Sequence, residues 1–145
     1  MRKALCLLLA LLMTCMVAMT AQAERSKSEV ELLHFMAAAA LDSLGDDVTG
    51  IPEIAYNEEL DVFYMVYVND SLTAMQHKFN IASIEGYQEK TANNCRQHFC
   101  KYFFDFMDAV KLNVDIAIRH FDANGNFMYC MYNGVYQEED IPIQK

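Results

Sequence analysis

Glycine and proline are scarce in this chain, five and two among 145 residues, which excludes a collagen-like or low-complexity polypeptide. Positive charge is scarce too: eleven lysines and arginines stand against twenty aspartates and glutamates, a formal net charge of −9. Such a balance works against binding a polyphosphate backbone or an anionic membrane surface, so neither nucleic acid nor bare anionic lipid is an expected partner. Signatures of catalysis are missing: there is no Gly-x-Ser-x-Gly, His-Glu-x-x-His, Gly-x-Gly-x-x-Gly or phosphate-binding loop. After the first run of apolar residues, no further segment reaches the roughly twenty needed to span a bilayer. What is abundant is apolar matter. Hydrophobic residues make up 54% of the chain, with eight tyrosines and nine phenylalanines, too much for disorder and enough for one core.

That first run has a recognisable setting. Arg2 and Lys3 precede apolar residues from Ala4 to Ala18, and Ala21-Gln22-Ala23 follows, the charged, apolar and small-x-small order of a secretory signal peptide. Residues 1–23 are read as a leader cleaved after Ala23, and residues 24–145 as a single domain that is periplasmic or secreted. The alternative is a membrane-anchored lipoprotein with lipid on Cys15, but Thr14 stands where Gly, Ala or Ser usually precedes such a cysteine. Loss of the leader removes two basic residues and no acid, taking the net charge from −9 to −11 over 122 residues.

In the mature chain, Ser28 with Glu31 fits a capping box and Gly45 a C-terminal cap, predicting a helix from Ser28 to Leu44 with Val30, Leu33, Ala37, Leu41 and Leu44 as its inner stripe. A short strand from Glu53 to Tyr56 is expected to turn at Asn57-Glu58-Glu59 into a stronger one from Leu60 to Asn69. Both faces of the second are apolar, with Leu60, Val62, Tyr64, Val66 and Val68 on one and Phe63, Met65 and Tyr67 on the other. It is therefore either a strand covered on both sides or one whose aromatic row is open to a partner. Asp70 or Ser71 can cap a helical segment that breaks at Gly86, and a main core helix follows from about Gln88 to Ala109, with Phe99, Tyr102, Phe103, Phe106 and Val110 inward. Lys111 to Phe121 alternates strictly and returns through Asp122-Ala123-Asn124-Gly125-Asn126 into Phe127 to Tyr136, a C-terminal β-hairpin. The acidic tail at Glu138-Glu139-Asp140 reads as solvated. These elements predict an α+β fold: an antiparallel sheet of three or four strands packed against two main helices.

With Cys6 and Cys15 in the leader, the mature chain carries Cys95, Cys100 and Cys130, an odd number that implies one disulfide and a free thiol or three thiols. In a regular helix, Cys95 and Cys100 lie about 140° apart and about 7.5 Å along the axis, too far to bridge. The natural partner for either is Cys130, provided the hairpin register points it at the helix. A three-residue loop with Gly125 in a bulge pairs Cys130 with Ile118 and does so; a two-residue Asn124-Gly125 turn pairs it with Arg119 and does not. The former is preferred, giving Cys95 with Cys130, or alternatively Cys100 with Cys130.

Cys95 and His98, one helical turn apart, are the only candidate metal ligands, with no second pair to complete a site; no metal and no cofactor is expected. A cysteine nucleophile with His34, His77 or His120, or acid-base work by Asp108, Asp115 or Asp122, has no recognisable motif around it. The element order, ending in the Asp122-to-Asn126 turn, resembles small bacterial exported proteins described as quorum-sensing-regulated virulence factors, over most of residues 28–136. That resemblance implies a periplasmic or secreted α+β domain and carries over no catalytic residues. The function expected is a non-enzymatic binding module for a protein or peptide, held at a sheet edge or over Phe63, Met65 and Tyr67. Alternatives are a small hydrolase or thiol enzyme, and a carrier enclosing an apolar small molecule between helix and sheet.

Overall fold

Alternating apolar segments pair into one sheet, and the long helical stretch between two of them decides its topology. The computed structural model describes residues 25–44 and 50–143. The leader, Cys15, the Gly45 cap and the ends of the chain beyond Ile143 lie outside the described residues. By contacts the chain falls into two units divided between Val30 and Glu31. Of the first, the described part is the start of helix α1 (Lys27–Leu44), where Ser26 and Glu29 form a capping box: Ser26 N–H donates to Glu29 Oε2 at 2.9 Å and Glu29 N–H to Ser26 Oγ at 3.3 Å. The Ser-x-x-Glu pattern occurs twice in this stretch, and the helix starts at the earlier copy.

The second unit holds strands β1 (Glu53–Asn57), β2 (Val62–Asn69), β3 (Asp115–Asp122), β4 (Phe127–Tyr132) and β5 (Val135–Gln137), paired in that order. Helices α2 (Ala74–Ser83), α3 (Tyr87–Cys95) and α4 (Lys101–Ala109) lie between β2 and β3, with a π-helical turn at Arg96–Cys100 joining the last two. The class is α+β as expected, but the sheet has five strands and is mixed. β2 and β3 run parallel, Phe63 beside Ile116 and Met65 beside Ile118, while the other pairs are antiparallel. The helices cross over the sheet and carry the chain back to the end at which β2 began, which a parallel neighbour requires and a hairpin does not. Parallel pairing also accounts for the apolar character of both faces of β2.

One face, carrying Phe63, Met65, Tyr67, Ile116, Ile118 and His120, lies under the helices. Phe63 meets Phe103 at 5.6 Å between ring centroids, and Tyr67 meets Phe99 at 5.3 Å. The other face packs Val62, Tyr64, Val66, Ala117 and Cys130 with Ile141 of the C-terminal segment. Glu138 and Glu139 of the acidic tail are solvated as expected, but Asp140 is not. Asp140 accepts two hydrogen bonds from Arg119, at 2.8 and 2.6 Å, and Ile141 is buried behind it.

Gly86, at φ 72°, is the left-handed residue that ends one helix and begins the next, as its position in the sequence suggests. The cap of α2 is Thr73, not Asp70 or Ser71: its hydroxyl accepts from Gln76 N–H while the Gln76 side chain accepts from Thr73 N–H. A second carboxylate reaches the same helix end from far along the chain. Asp122 Oδ2 accepts from Ala74 N–H at 3.1 Å, while its Oδ1 accepts from the amides of Asn124 and Asn126 inside the β3–β4 turn. These donors, Ala74 first, hold the Asp122 carboxyl down at about 2. Asp122→Ala is expected to lower the melting temperature by several degrees and to speed amide exchange at Ala74, Asn124 and Asn126 together. Faster exchange in the turn alone would mean that the bond to α2 contributes nothing.

Candidate apolar binding groove

The row expected to receive a partner is inside the protein. Phe63 and Met65 are 1% and 2% exposed and Tyr67 is half-buried beneath Phe99, so Phe63, Met65 and Tyr67 do not form an interaction surface. An alternating strand with two apolar faces does not reveal which face the helices choose. Here the crossover laid them over the aromatic one.

The helices do not cover that face completely. Between α1 and the segment running from the π turn into α4 there is a groove of about 600 Å³. Its floor is Ile51, Ile54 and Met65; one wall is Phe35, Met36, Ala39, Ala40 and Leu44 of α1; the other is Phe99, Tyr102, Phe103 and Phe106. Among the described residues, no acidic, lysine or arginine side chain lines it. Its polar groups are the Tyr102 hydroxyl, the His98 ring and Ser43, whose hydroxyl is occupied in donating to Ala40 C=O at 2.8 Å. The rim is made by large apolar side chains in water: Phe35 is 70% exposed, Tyr102 80%.

The π turn shapes this wall. An ordinary helix through Ala109 would turn Phe99, Tyr102, Phe103, Phe106 and Val110 inward together. One additional residue in the turn at Arg96–Cys100, closed by Lys101 N–H to Arg96 C=O, changes the phase of everything after it. Met107 and Cys100 face the core, Phe103 and Phe99 are half-buried, and Tyr102, Phe106 and Val110 are left exposed. Nothing in the Arg96-to-Cys100 sequence announces a π turn, so the groove was not legible from periodicity.

The other candidate chemistry disperses. His98 is exposed at the groove while Cys95 is buried on the far side of the turn, its Sγ 3.4 Å from His120 Nε2. Among the described residues no group of three or more His, Cys, Asp or Glu converges to hold a metal. Among the described residues Cys95 and His120 are the one cysteine–histidine contact, but they are 2% and 4% exposed. Burial lowers the His120 pKa to about 3, and the Cys95 thiol is pushed up, by the neighbouring Cys100 thiol first and burial second. Both groups are thus neutral, the reverse of a thiolate–imidazolium pair. His34 instead binds Glu58 at 2.7 Å, and His77 lies between the Tyr136 and Tyr87 hydroxyls, at 2.9 and 3.4 Å. Asp115 accepts from Tyr132 and Asn133.

Cysteines 95, 100 and 130 are all free and buried. The β3–β4 loop has the three-residue form expected, with Asp122 N–H donating to Asn126 C=O and Gly125 at φ 80°. A second irregularity follows it. Phe121 pairs with Phe127 but His120 with Tyr129, leaving Met128 as an extra residue on β4, so Cys130 sits opposite Arg119 rather than Ile118. It therefore faces away from the helix that bears Cys95 and Cys100. The shift brings Tyr129 flat against His120, with ring centroids 4.1 Å apart, and Met131 beside Ile118 in the helix-side core.

The fold and the groove together define a mixed-sheet α+β domain with an apolar ligand-sized opening beneath its helices. No protein-family model matches the chain, and no curated protein or solved structure matches it either.

Proposed function

We propose that this is an exported, non-catalytic binding module whose site is the groove between α1 and α4 and whose ligand is an uncharged, apolar small molecule. The observation that carries this reading is the lining. A space of about 600 Å³ falls within the range of roughly 300 to 1,000 Å³ usual for small-molecule sites, and its walls offer rings and aliphatic carbons without a fixed charge. A charged ligand would leave its own charge unpaired there, which disfavours it strongly. The exposed rings of Phe35 and Tyr102 at the rim are apolar surface that a bound molecule would cover. A thiol-enzyme reading gains no comparable support, since the cysteine–histidine contact has no opening to substrate.

The neutral fluorophore N-phenyl-1-naphthylamine tests this. It is expected to brighten on binding the domain, and Ala40→Phe, which places a ring in the groove, is expected to weaken that binding at least tenfold while the melting temperature stays within a few degrees. Equal brightening with both proteins would place the dye elsewhere and remove the groove as the site.

A further inference from the structure

We propose that Asn124 is a site of spontaneous deamidation, rearranging with Gly125 through a succinimide to aspartate and isoaspartate, and that the fold protects Asn133, which precedes a glycine in the same way. Asn-Gly occurs twice in the chain, at 124–125 and 133–134, once in the turn between β3 and β4 and once between β4 and β5. A following glycine favours the reaction because its amide nitrogen, with no Cβ beside it, reaches the asparagine side-chain carbon without hindrance. Local sequence therefore offers two equal sites. The tertiary structure separates them.

Asn133 is clamped. Its side-chain oxygen accepts from Ile116 N–H at 2.8 Å, its side-chain nitrogen donates to Asp115 Oδ1 at 2.8 Å, and its own N–H donates to Ile116 C=O at 2.8 Å. The next residue is held as well: Gly134 C=O accepts from Arg96 Nε at 2.7 Å, and the Phe104 ring lies 3.5 Å from where a Cβ would stand on Gly134. Asn124 has none of this. Among the described residues its side-chain amide has no hydrogen-bond partner, both Asn124 and Gly125 are exposed, and beyond its chain neighbours nothing lies within 4 Å of where a Cβ would stand on Gly125. Its N–H donates to Asp122 Oδ1, and Gly125 N–H donates to Asp122 C=O at 2.9 Å; both bonds lie within the exposed tip of the turn, where local opening costs least.

The steps balance with water alone. The Gly125 amide nitrogen gives its proton to solvent base and attacks Asn124 Cγ; a carbon–nitrogen bond forms and the side-chain nitrogen leaves as ammonia, closing a five-membered succinimide. Water then opens the ring at one carbonyl to give aspartate, or at the other to give an isoaspartyl link, so that one water is consumed and one ammonia released. The isoaspartyl form adds a methylene to the backbone between two amides that Asp122 holds, those of Asn124 and Asn126, in the turn whose Asp122 also accepts from Ala74 N–H.

The test is incubation of the full chain at about pH 9, folded and in urea, followed by digestion and mass mapping. Trypsin releases residues 120–145 as one peptide and chymotrypsin cuts it after Phe127, so Asn124 and Asn133 fall on separate fragments, and fragmentation within the first assigns the gain of about 1 Da to Asn124 or Asn126. In urea both Asn-Gly sites are expected to convert at similar rates. In the folded chain Asn124 is expected to convert at least about tenfold faster than Asn133, with isoaspartate shown by methyl transfer from S-adenosylmethionine by a protein-isoaspartate methyltransferase. Folded chain that converts both sites equally, converts Asn133 first, or stays unmodified at Asn124 while the unfolded chain reacts overturns the proposal. Asp115→Ala removes one arm of the clamp and is expected to speed conversion at Asn133 severalfold while leaving Asn124 unchanged; an unaltered Asn133 would count against the clamp.

Discussion

Acidification is expected to destabilise this protein by about 3 kcal/mol between neutrality and about pH 4.5, most of it through His120. The imidazole is enclosed by Cys95 of α3, Tyr67 of β2, Phe99 of the π turn and Tyr129 of β4, with His77 of α2 as the nearest like charge. Burial, with His77 second, lowers its pKa to about 3, and burial lowers that of His77 too. The unfolded chain takes up a proton at each histidine as the pH falls through the ordinary value of 6.5, while the folded chain keeps His120 neutral down to about 3. The unfolded state thus binds more protons throughout that window. Stability is whole above 6.5, falls as the pH drops and levels only near 3, each pH unit costing about 1.4 kcal/mol per histidine held neutral. Asp122, lowered from 3.8 to about 2, adds to the fall only where the unfolded carboxyl takes up its proton, below about pH 4.

Urea unfolding at pH 7 and at about pH 4.5 measures this, with the change read as a shift in midpoint at constant slope. His120→Phe retains a ring against Tyr129 and removes the titration, and it should unfold at nearly the same urea concentration at both pH values apart from the His77 share. If the variant loses as much stability on acidification as the natural chain, His120 is not the group responsible.

The second large effect concerns the opposite face. Asp140→Ala is expected to cost about 3 kcal/mol, the lower end for breaking a buried ion pair, because Arg119 is nearly enclosed while the Asp140 side chain keeps 28% of its exposure. Arg119 loses both charge-assisted hydrogen bonds and stays between Tyr64 and Phe121, its guanidinium 5.8 and 5.2 Å from their ring centres. For a domain of this size the loss corresponds to roughly 10 °C in melting temperature. Arg119→Met in the Asp140→Ala background should recover much of it, since methionine fills the same slot without a charge to desolvate. A double variant as unstable as Asp140→Ala alone would show that the tail holds by Ile141 packing rather than by the pair.

Several elements were legible because their signals are local. The strand through Tyr64, the break at Gly86 and the hairpin around Gly125 each depend on residues within one or two turns of chain, and each is where the periodicity or the turn chemistry put it. The alanine-rich first helix ends within a residue of expectation for the same reason. The candidate site was not legible in this way. Phe63, Met65 and Tyr67 form one face of a strand in any fold, but whether that face meets water or helices depends on which side the crossover takes.

The scarcity of glycine, proline and positive charge, together with the apolar alternation, determined by itself that this acidic chain builds an α+β fold around a strongly apolar sheet. Backbone period and turn residues act over a few positions and need no partner to be read. Three things were decided only in the tertiary structure: the parallel pairing of β2 with β3, the extra residue on β4 that turns Cys130 away from the helices, and the π turn that shapes the wall of the groove. Each is a shift of one residue or a choice between two equally apolar faces. Such choices are settled by how distant side chains pack, as when Tyr129 stacks on His120 and Phe103 covers Phe63, and no local pattern encodes them.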